Sequence, residues 1–147
     1  MALTVPTTEY LDAVTELLAD GASAVAVPVK GGSMRPFLSE EDTVYLAPVS
    51  SPPRSGDIIL YRRPCGRYIL HRVYRVKNGS YSMLGDSQSQ PEHGISSDQL
   101  LAIAVAADRR GKRIYPTSPV WRCYACVWRR SVRLRKLLFR FAGLVRR

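Results

Sequence analysis

The sequence has few of the features that secreted or membrane-spanning chains need. Its 147 residues contain only three cysteines, which is too few for the disulfide framework of a small secreted domain. No unbroken apolar run reaches the ~18 residues of a membrane-spanning helix, and no basic segment followed by an apolar run marks a signal peptide. These absences exclude the disulfide-rich and membrane-spanning classes. We therefore expect a protein of a reducing compartment, the cytoplasm.

Acidic residues are absent from the C-terminal end of the chain. Residues 121–147 contain nine of the 22 Lys and Arg residues and no Asp or Glu, whereas the other 120 residues contain 13 basic and 12 acidic residues. The formal net charge of +10 therefore belongs to this tail, and the body is nearly neutral. Because the body also lacks a platform of aromatic residues for stacking bases, we do not expect a nucleic-acid partner.

The pattern of the chain predicts one domain with a helix at each end. A threonine cap and apolar residues at helical spacing predict an N-terminal helix within residues 1–23. Residues 24–116 contain six or seven short apolar or alternating segments separated by turn residues, which predict β-strands. Within them, the polar residues 87–99 predict a loop. Residues 117–147 return to a helical period. We predict a mainly β (α+β) fold, a twisted and partly closed β-structure.

The segment GGSMRP at residues 31–36 carries the first functional indication. Its two glycines allow unusual backbone angles and leave space for another chain to approach, and its proline keeps Arg35 out of the helical region. Ser33 is therefore presented to the surface, as a nucleophile must be. An ordinary glycine-rich turn is the alternative, and the motif alone does not decide between the two.

A serine hydroxyl needs a nearby base, and the chain contains only two histidines. His71 lies in the middle of a predicted strand and has a side chain that titrates near neutral pH, which makes it a candidate general base. The alternative is a half-buried strand histidine that merely satisfies its hydrogen bonds. His93 falls in the polar segment, where we expect it to be solvated.

Asp86 is a candidate for the acid that orients His71. Asn78 and Gly79 predict a two-residue hairpin turn, and residues 71 and 86 are equidistant from it. A simple hairpin would therefore pair these two residues directly, although a bulge would break this register. A carboxylate beside the imidazole could fix its tautomer and stabilise the imidazolium.

Four segments together resemble the sequence boxes of signal peptidases, in both order and spacing. They are GSMRP at residues 32–36, GDII at 56–59, LHRV at 70–73 and LGD at 84–86. A histidine as the base resembles the archaeal and endoplasmic-reticulum type, and the wider clan includes the self-cleaving SOS repressors. The resemblance spans about residues 25–107. It implies a β-rich catalytic fold and serine-peptidase activity, with no metal or cofactor.

The resemblance assigns a role to each matching residue. Ser33 would be the nucleophile and His71 the general base. The orienting acid of the relatives, counted without gaps, falls on Glu92, whereas Asp86 belongs to the Gly-Asp box itself. The hairpin argument favours Asp86, and Glu92 is the second choice.

Two departures from the relatives affect the expected site. Gly31 stands where relatives have a serine whose hydroxyl helps to bind the oxyanion. We therefore expect the backbone around Ser33, at Gly31, Gly32 and Met34, to bind the oxyanion and the substrate. The relatives also carry an N-terminal membrane anchor, which has no counterpart in the residues that precede Ser33.

The C-terminal tail predicts a basic amphipathic helix. One face is an apolar stripe, interrupted only by Ser131, that consists of Val127, Leu134, Leu138, Phe141 and Val145. The opposite face is basic and consists of Arg129, Arg133, Lys136, Arg140 and Arg147. Such a helix suits an anionic membrane surface or a protein partner, with Trp121 and Trp128 at the level of the lipid headgroups. The alternative is that the stripe packs on the body.

These features predict a serine endopeptidase that removes a leader or signal segment from a peptide or protein. Its substrate would lie extended beside residues 24–30 and pair through backbone hydrogen bonds. The alternative is a non-catalytic peptide-binding or regulatory module on the same fold, associated with the inner face of a membrane through its basic tail.

Overall fold

The computed structural model describes residues 7–145. Its helical elements are α1 (Thr7–Ala19), a 3₁₀ turn (Ser97–Gln99), α2 (Pro119–Cys123), a π-helical turn (Tyr124–Trp128) and α3 (Val132–Val145). Its strands are β1 (Val25–Pro28), β2 (Thr43–Pro48), β3 (Ile58–Arg62), β4 (Tyr68–Lys77), β5 (Ser80–Leu84), β6 (Glu92–Ile95), β7 (Leu100–Arg109) and β8 (Lys112–Ile114).

The strands form one antiparallel sheet in the order β1-β2-β7-β3-β4-β5-β6, and β8 pairs with the end of β7. The prediction of a mainly β (α+β) fold with a helix at the N-terminal end is confirmed. Among the described strands the sheet is not closed, and β1 and β6 are its end strands.

The core consists of two apolar clusters, and the central strand β3 contributes residues to both. This strand lies between β4 and β7, so four of its five residues are buried. Because side chains alternate along a strand, Ile58 and Leu60 join the cluster that α1 covers, whereas Ile59 and Tyr61 join the cluster on the other face. Tyr61 is thereby fixed beside the strand that carries His71.

The β4–β5 hairpin has the predicted turn but not the predicted register. Asn78 and Gly79 have φ values of 51° and 73°, as a two-residue hairpin turn requires. Arg75 pairs with Ser82, but the next paired residues on β4 and β5 are Val73 and Met83, so Tyr74 forms a one-residue bulge. The bulge shifts every later pair, and the predicted direct pairing of residues 71 and 86 is therefore wrong.

The predicted loop at residues 87–99 contains a strand, β6. Ile95 pairs with Tyr81 of β5 and is buried, and Glu92 pairs with Met83. The segment extends the sheet because one apolar residue anchors it in the core, despite its polar composition.

The tail is helical as predicted, but it begins inside the core. Trp121 of α2 is only 2% exposed, and its ring contacts Phe37 edge-on with centroids 5.4 Å apart. The expected position of Trp121 among lipid headgroups is therefore wrong, because this side chain fills the core against Phe37, which lies in the turn that follows Ser33. None of the helices in residues 7–145 is long and apolar enough to cross a membrane.

Candidate active site

The turn after β1 presents Ser33 at the surface. Met34, Phe37 and Leu38 are buried and anchor the turn in the core, while Ser33 itself is half-buried. Gly31 has a φ of 73°, which favours glycine because of steric strain on a side chain. The apolar residues that follow Ser33 thus hold the serine at the surface.

The Gly-Asp box packs against this turn. The carbonyl oxygen of Ser33 accepts hydrogen bonds from the backbone N–H and the hydroxyl of Ser87, at 3.0 and 3.1 Å. A Cβ on Gly85 would lie 2.6 Å from the same oxygen, closer than any real Cβ contact. Gly85 is therefore needed for close approach of two loops, a role that the sequence reasoning missed although the box itself was recognised.

The expected oxyanion donors are only partly available. The N–H of Gly31 donates to Oε1 of Glu40 at 3.0 Å, so the expectation that Gly31 binds the oxyanion does not fit this arrangement. The Met34 side chain is 2% exposed, which leaves only its backbone to contact a substrate. Within residues 7–145, the N–H groups of Gly32, Ser33 and Met34 donate no backbone hydrogen bond.

His71 shares one cleft with Ser33. The cleft has a volume of about 570 Å³, and its lining includes both residues together with residues 29–32 and residues 68–70. His71 is 4% exposed, and this burial lowers the pKa of the imidazole to about 4, although the Glu92 carboxylate opposes the shift. At neutral pH the imidazole is therefore uncharged, which is the form that accepts a proton.

Within the described residues, the His71 side chain makes a hydrogen bond between its Nδ1 and the Tyr61 hydroxyl oxygen, 3.4 Å apart. The structure therefore places Ser33 and His71 in one cleft without a direct hydrogen bond between them. In substrate-free enzymes, catalytic hydrogen bonds are often long and shorten in the substrate complex.

Asp86 does not contact His71. It is fully buried, and its two carboxylate oxygens accept from Nε and Nη2 of Arg72 at 2.9 and 2.8 Å. Arg72 also donates to the carbonyl oxygen of Gly56 at 2.8 Å. Arg72 follows His71 in the strand, so the two side chains point to opposite faces of the sheet. The first choice for the orienting acid is therefore engaged elsewhere.

Glu92, the second choice, reaches His71 through Tyr61. The Tyr61 hydroxyl donates to Oε2 of Glu92 at 2.8 Å, and Arg63 holds the same carboxylate with Nε 3.0 Å from Oε1 and Nη2 2.8 Å from Oε2. These hydrogen bonds, led by the one from Arg63, lower the pKa of Glu92. The sequence reasoning missed Tyr61 and Arg63. A signal for Tyr61 existed, because Tyr61 lies on the same face of β3 as Ile59, and Ile59 pairs with His71.

The C-terminal tail holds the loop behind Ser33. Nε1 of Trp128 donates to the carbonyl oxygen of Asp86 at 2.7 Å. Arg135, which is fully buried, donates through Nη1 to the carbonyl oxygens of Gly85 and Gln88 at 3.3 and 3.2 Å. The indole N–H of Trp128 therefore binds within the protein, and Arg135 belongs to the interior.

Comparison with known proteins found a family match over most of the chain. The family model described as Peptidase S24-like matches residues 2–107, which include Ser33, His71 and Glu92. Among curated proteins, none matches the chain. The match confirms the serine-peptidase clan that the sequence boxes resemble and does not single out the signal peptidase type. The chain belongs to the peptidase S24-like family.

Proposed function

We propose that this protein is a serine endopeptidase that cleaves a leader or signal segment from a peptide or protein, with Ser33 as nucleophile and His71 as general base. The observation that supports the proposal most directly is the shared cleft, in which a half-buried serine and a buried, uncharged histidine line one space. The family to which the chain belongs supports the coarser part of the proposal, a serine peptidase.

Two backbone segments of the cleft suit an extended substrate. Residues 68–71 of β4 pair with β3 on one side, whereas β5 pairs with β4 only from Arg72 onwards. The other backbone edge of residues 68–70 therefore has no strand partner within the described residues, and residues 68–70 line the cleft together with residues 29–32. A peptide in β-conformation would hydrogen-bond to such an edge and carry its scissile bond past Ser33.

In the proposed reaction, the Ser33 hydroxyl oxygen attacks the scissile carbonyl carbon while its proton passes to His71. The N–H groups of Ser33 and Met34 would stabilise the negative oxygen of the tetrahedral intermediate. The peptide C–N bond then breaks, and His71 returns the proton to the leaving amine. Water hydrolyses the resulting ester of Ser33 with His71 again as base.

A serine-reactive fluorophosphonate tests the nucleophile without a known substrate. We expect the probe to label the wild-type chain and to leave both Ser33→Ala and His71→Ala unlabelled, because the hydroxyl needs a base to react. Ser50→Ala, which removes an exposed serine of a loop, is the matched control and should be labelled like the wild type. Full labelling of folded Ser33→Ala would sink the proposal.

A second candidate function is peptide binding without hydrolysis. It is favoured by the engagement of the Gly31 N–H with Glu40, which removes one donor from the neighbourhood of the oxyanion. Incubation of the wild-type chain with an unbiased peptide library separates the two functions. Retained but uncleaved peptides, together with an unlabelled Ser33, would favour the binding module.

The exposed face of α3 supports a second part of the proposal, a peripheral location at an anionic membrane surface. Leu134, Leu137, Leu138 and Phe141 are 45–58% exposed, so the alternative of a stripe packed on the body does not fit. Arg133, Lys136 and Arg140 are also exposed beside it. The side chains of Val145 and Arg147, the last predicted members of the two faces, lie outside the described residues.

Vesicles of phosphatidylcholine with and without phosphatidylserine test this location. We expect Arg133→Gln/Lys136→Gln to weaken binding to the anionic vesicles by about 10–30-fold at low salt, since each basic residue near the surface contributes about 1 kcal/mol. The matched control, Arg75→Gln/Lys77→Gln, removes two exposed charges from β4 and should bind like the wild type. Equal binding by both double variants, or unchanged binding by Leu134→Gln/Leu138→Gln, would refute the role of α3.

A further inference from the structure

The hydroxyl of Tyr61 lies between His71 and Glu92. Its oxygen is 3.4 Å from Nδ1 of His71 and 2.8 Å from Oε2 of Glu92. Both polar contacts therefore meet at one atom that can donate a single proton. The direction of these two hydrogen bonds decides which nitrogen of His71 carries its proton.

The proton of Tyr61 belongs to the hydrogen bond with Glu92. Arg63 donates hydrogen bonds to this carboxylate from two of its nitrogens, Nε and Nη2, and they keep Glu92 ionised by lowering its pKa. An ionised carboxylate accepts hydrogen bonds and cannot donate. Tyr61 must therefore be the donor, and its own pKa is raised by burial and by the hydrogen bond to Glu92, so it keeps its proton at neutral pH.

The contact between Tyr61 and His71 then has one possible direction. Because the hydroxyl proton points to Glu92, the oxygen can only accept from His71, so Nδ1 must carry the imidazole proton. In a neutral imidazole the other nitrogen, Nε2, is then unprotonated and can act as a base. We propose that Tyr61 is a positioning residue, which holds His71 in the Nδ1–H tautomer and leaves Nε2 free to take the Ser33 proton; this rests on the proposed Ser/His chemistry.

The Tyr61 side chain is held in a fixed position by its surroundings. It lies on the central strand β3, it is fully buried, and its strand pairs with β4 and β7 on both sides. Ile59 pairs with His71 and Tyr61 with Ile69, so the tyrosine is the diagonal neighbour of the histidine on one face of the sheet. Because packing already holds the Tyr61 side chain, it loses little additional conformational entropy when its hydroxyl binds the imidazole of His71.

The same arrangement supports the protonated state of the base. When Nε2 has taken the serine proton, the imidazolium donates through Nδ1 to Tyr61, whose hydroxyl is polarised by Glu92. The negative charge of Glu92 thereby acts on His71 without direct contact, in the way that a carboxylate stabilises an imidazolium.

Nitrogen-15 NMR of histidine-labelled protein tests the tautomer directly and needs no substrate. We expect the wild-type chain at pH 7 to show His71 protonated at Nδ1 and unprotonated at Nε2, with the resonances assigned by means of His93→Gln. In Tyr61→Phe we expect this preference to be lost. Labelling of Ser33 by the fluorophosphonate should slow by about tenfold, as the loss of one orienting hydrogen bond predicts.

Tyr81→Phe is the matched control, since Tyr81 is a buried tyrosine of the same apolar cluster. It should keep the wild-type tautomer and labelling rate. Glu92→Gln is the second variant, and it should also weaken the Nδ1–H preference, even if Tyr61→Phe folds poorly. Protonation at Nε2 in the wild type, or an unchanged tautomer in folded Tyr61→Phe, would overturn the proposal. An unlabelled wild-type Ser33 would instead overturn the peptidase function and leave the tautomer result standing.

Discussion

An Arg72→Met variant should be less stable than the wild type by about 3–5 kcal/mol, since removal of one partner leaves the other charge buried and unpaired. Asp86 is fully buried, and Arg72 provides both of its side-chain hydrogen bonds. In the variant the buried carboxylate of Asp86 would lose both of its side-chain hydrogen bonds and its ion pair with Arg72. Urea unfolding monitored by circular dichroism measures the difference.

Two further variants separate the cost of an unpaired charge from the loss of attraction. Arg72→Met/Asp86→Leu removes both charges and should recover most of the lost stability, because replacing a whole buried pair by apolar groups is often neutral. Arg113→Met breaks the exposed pair with Asp108 and should cost far less stability, because solvent screens this pair. Equal losses for Arg72→Met and Arg113→Met would contradict the structural role of the buried pair.

The sequence was sufficient for the features that depend on local pattern. The amphipathic helix at α1, the Asn78–Gly79 turn and most of the strands follow from periodicity and turn chemistry, which act within a few residues. Ser33 and His71 were found because each lies in a recognisable box. Their approach to one cleft follows from the fold that these boxes imply.

The carboxylate that reaches His71 through Tyr61 could not be identified from the hairpin. A single extra residue, Tyr74, moves every later pair of β4 and β5 by one position, and local sequence does not specify where a bulge falls. Nor does composition show that Arg72 is the partner of Asp86. A buried carboxylate needs a counter-charge. For Asp86 this charge comes from Arg72, which follows His71 in β4 and points to the opposite face of the sheet.

The tail shows a second limit of sequence patterns. The helical period of its apolar stripe was recognised, but among the described side chains of α3 the buried one is Arg135, whereas Leu134, Leu137 and Leu138 remain exposed. A guanidinium has five donors, so Arg135 can satisfy the carbonyl groups of Gly85, Gln88 and Trp128 together. The pattern of hydrophobic residues alone cannot predict that an arginine of this helix is buried while its leucines are exposed.

The two faces of β4 thus support the two halves of the candidate site separately. On one face, Arg72 and Asp86 hold the loop that packs on the Ser33 turn, with help from Trp128 of the tail. On the other face, Tyr61 and Glu92 act on His71. The position of Ser33 and the protonation state of His71 should therefore respond to different mutations.

The stability of the protein should fall as the pH drops from 6.5 to 4, because of His71. In the unfolded chain the imidazole binds a proton with its ordinary pKa of 6.5, whereas burial lowers the pKa in the folded protein to about 4. Acid therefore favours the unfolded state, and the free energy of unfolding should decrease by about 2 kcal/mol by pH 5 and by about 3 kcal/mol by pH 4. Urea unfolding at a series of pH values measures this loss.

The interval between pH 6.5 and 5 isolates His71. The carboxylates with lowered pKa, Glu92 and Asp108, titrate in the unfolded chain with ordinary pKa values of 4.5 and 3.8, so their contributions are lost only at lower pH. His71→Gln removes the titrating group and should abolish most of the slope in this interval. A slope that persists unchanged in His71→Gln would show that another group is responsible.

The same lowered pKa predicts the pH dependence of Ser33 reactivity. An imidazole with a pKa of about 4 is still about nine-tenths unprotonated at pH 5, so the labelling rate should stay nearly constant from pH 8 to 5 and then fall through about pH 4. An imidazole with the usual pKa would instead lose half of its activity near pH 6.5. Labelling at constant ionic strength distinguishes the two, and a midpoint near 6.5 would show that His71 is solvated rather than buried when it acts as the base.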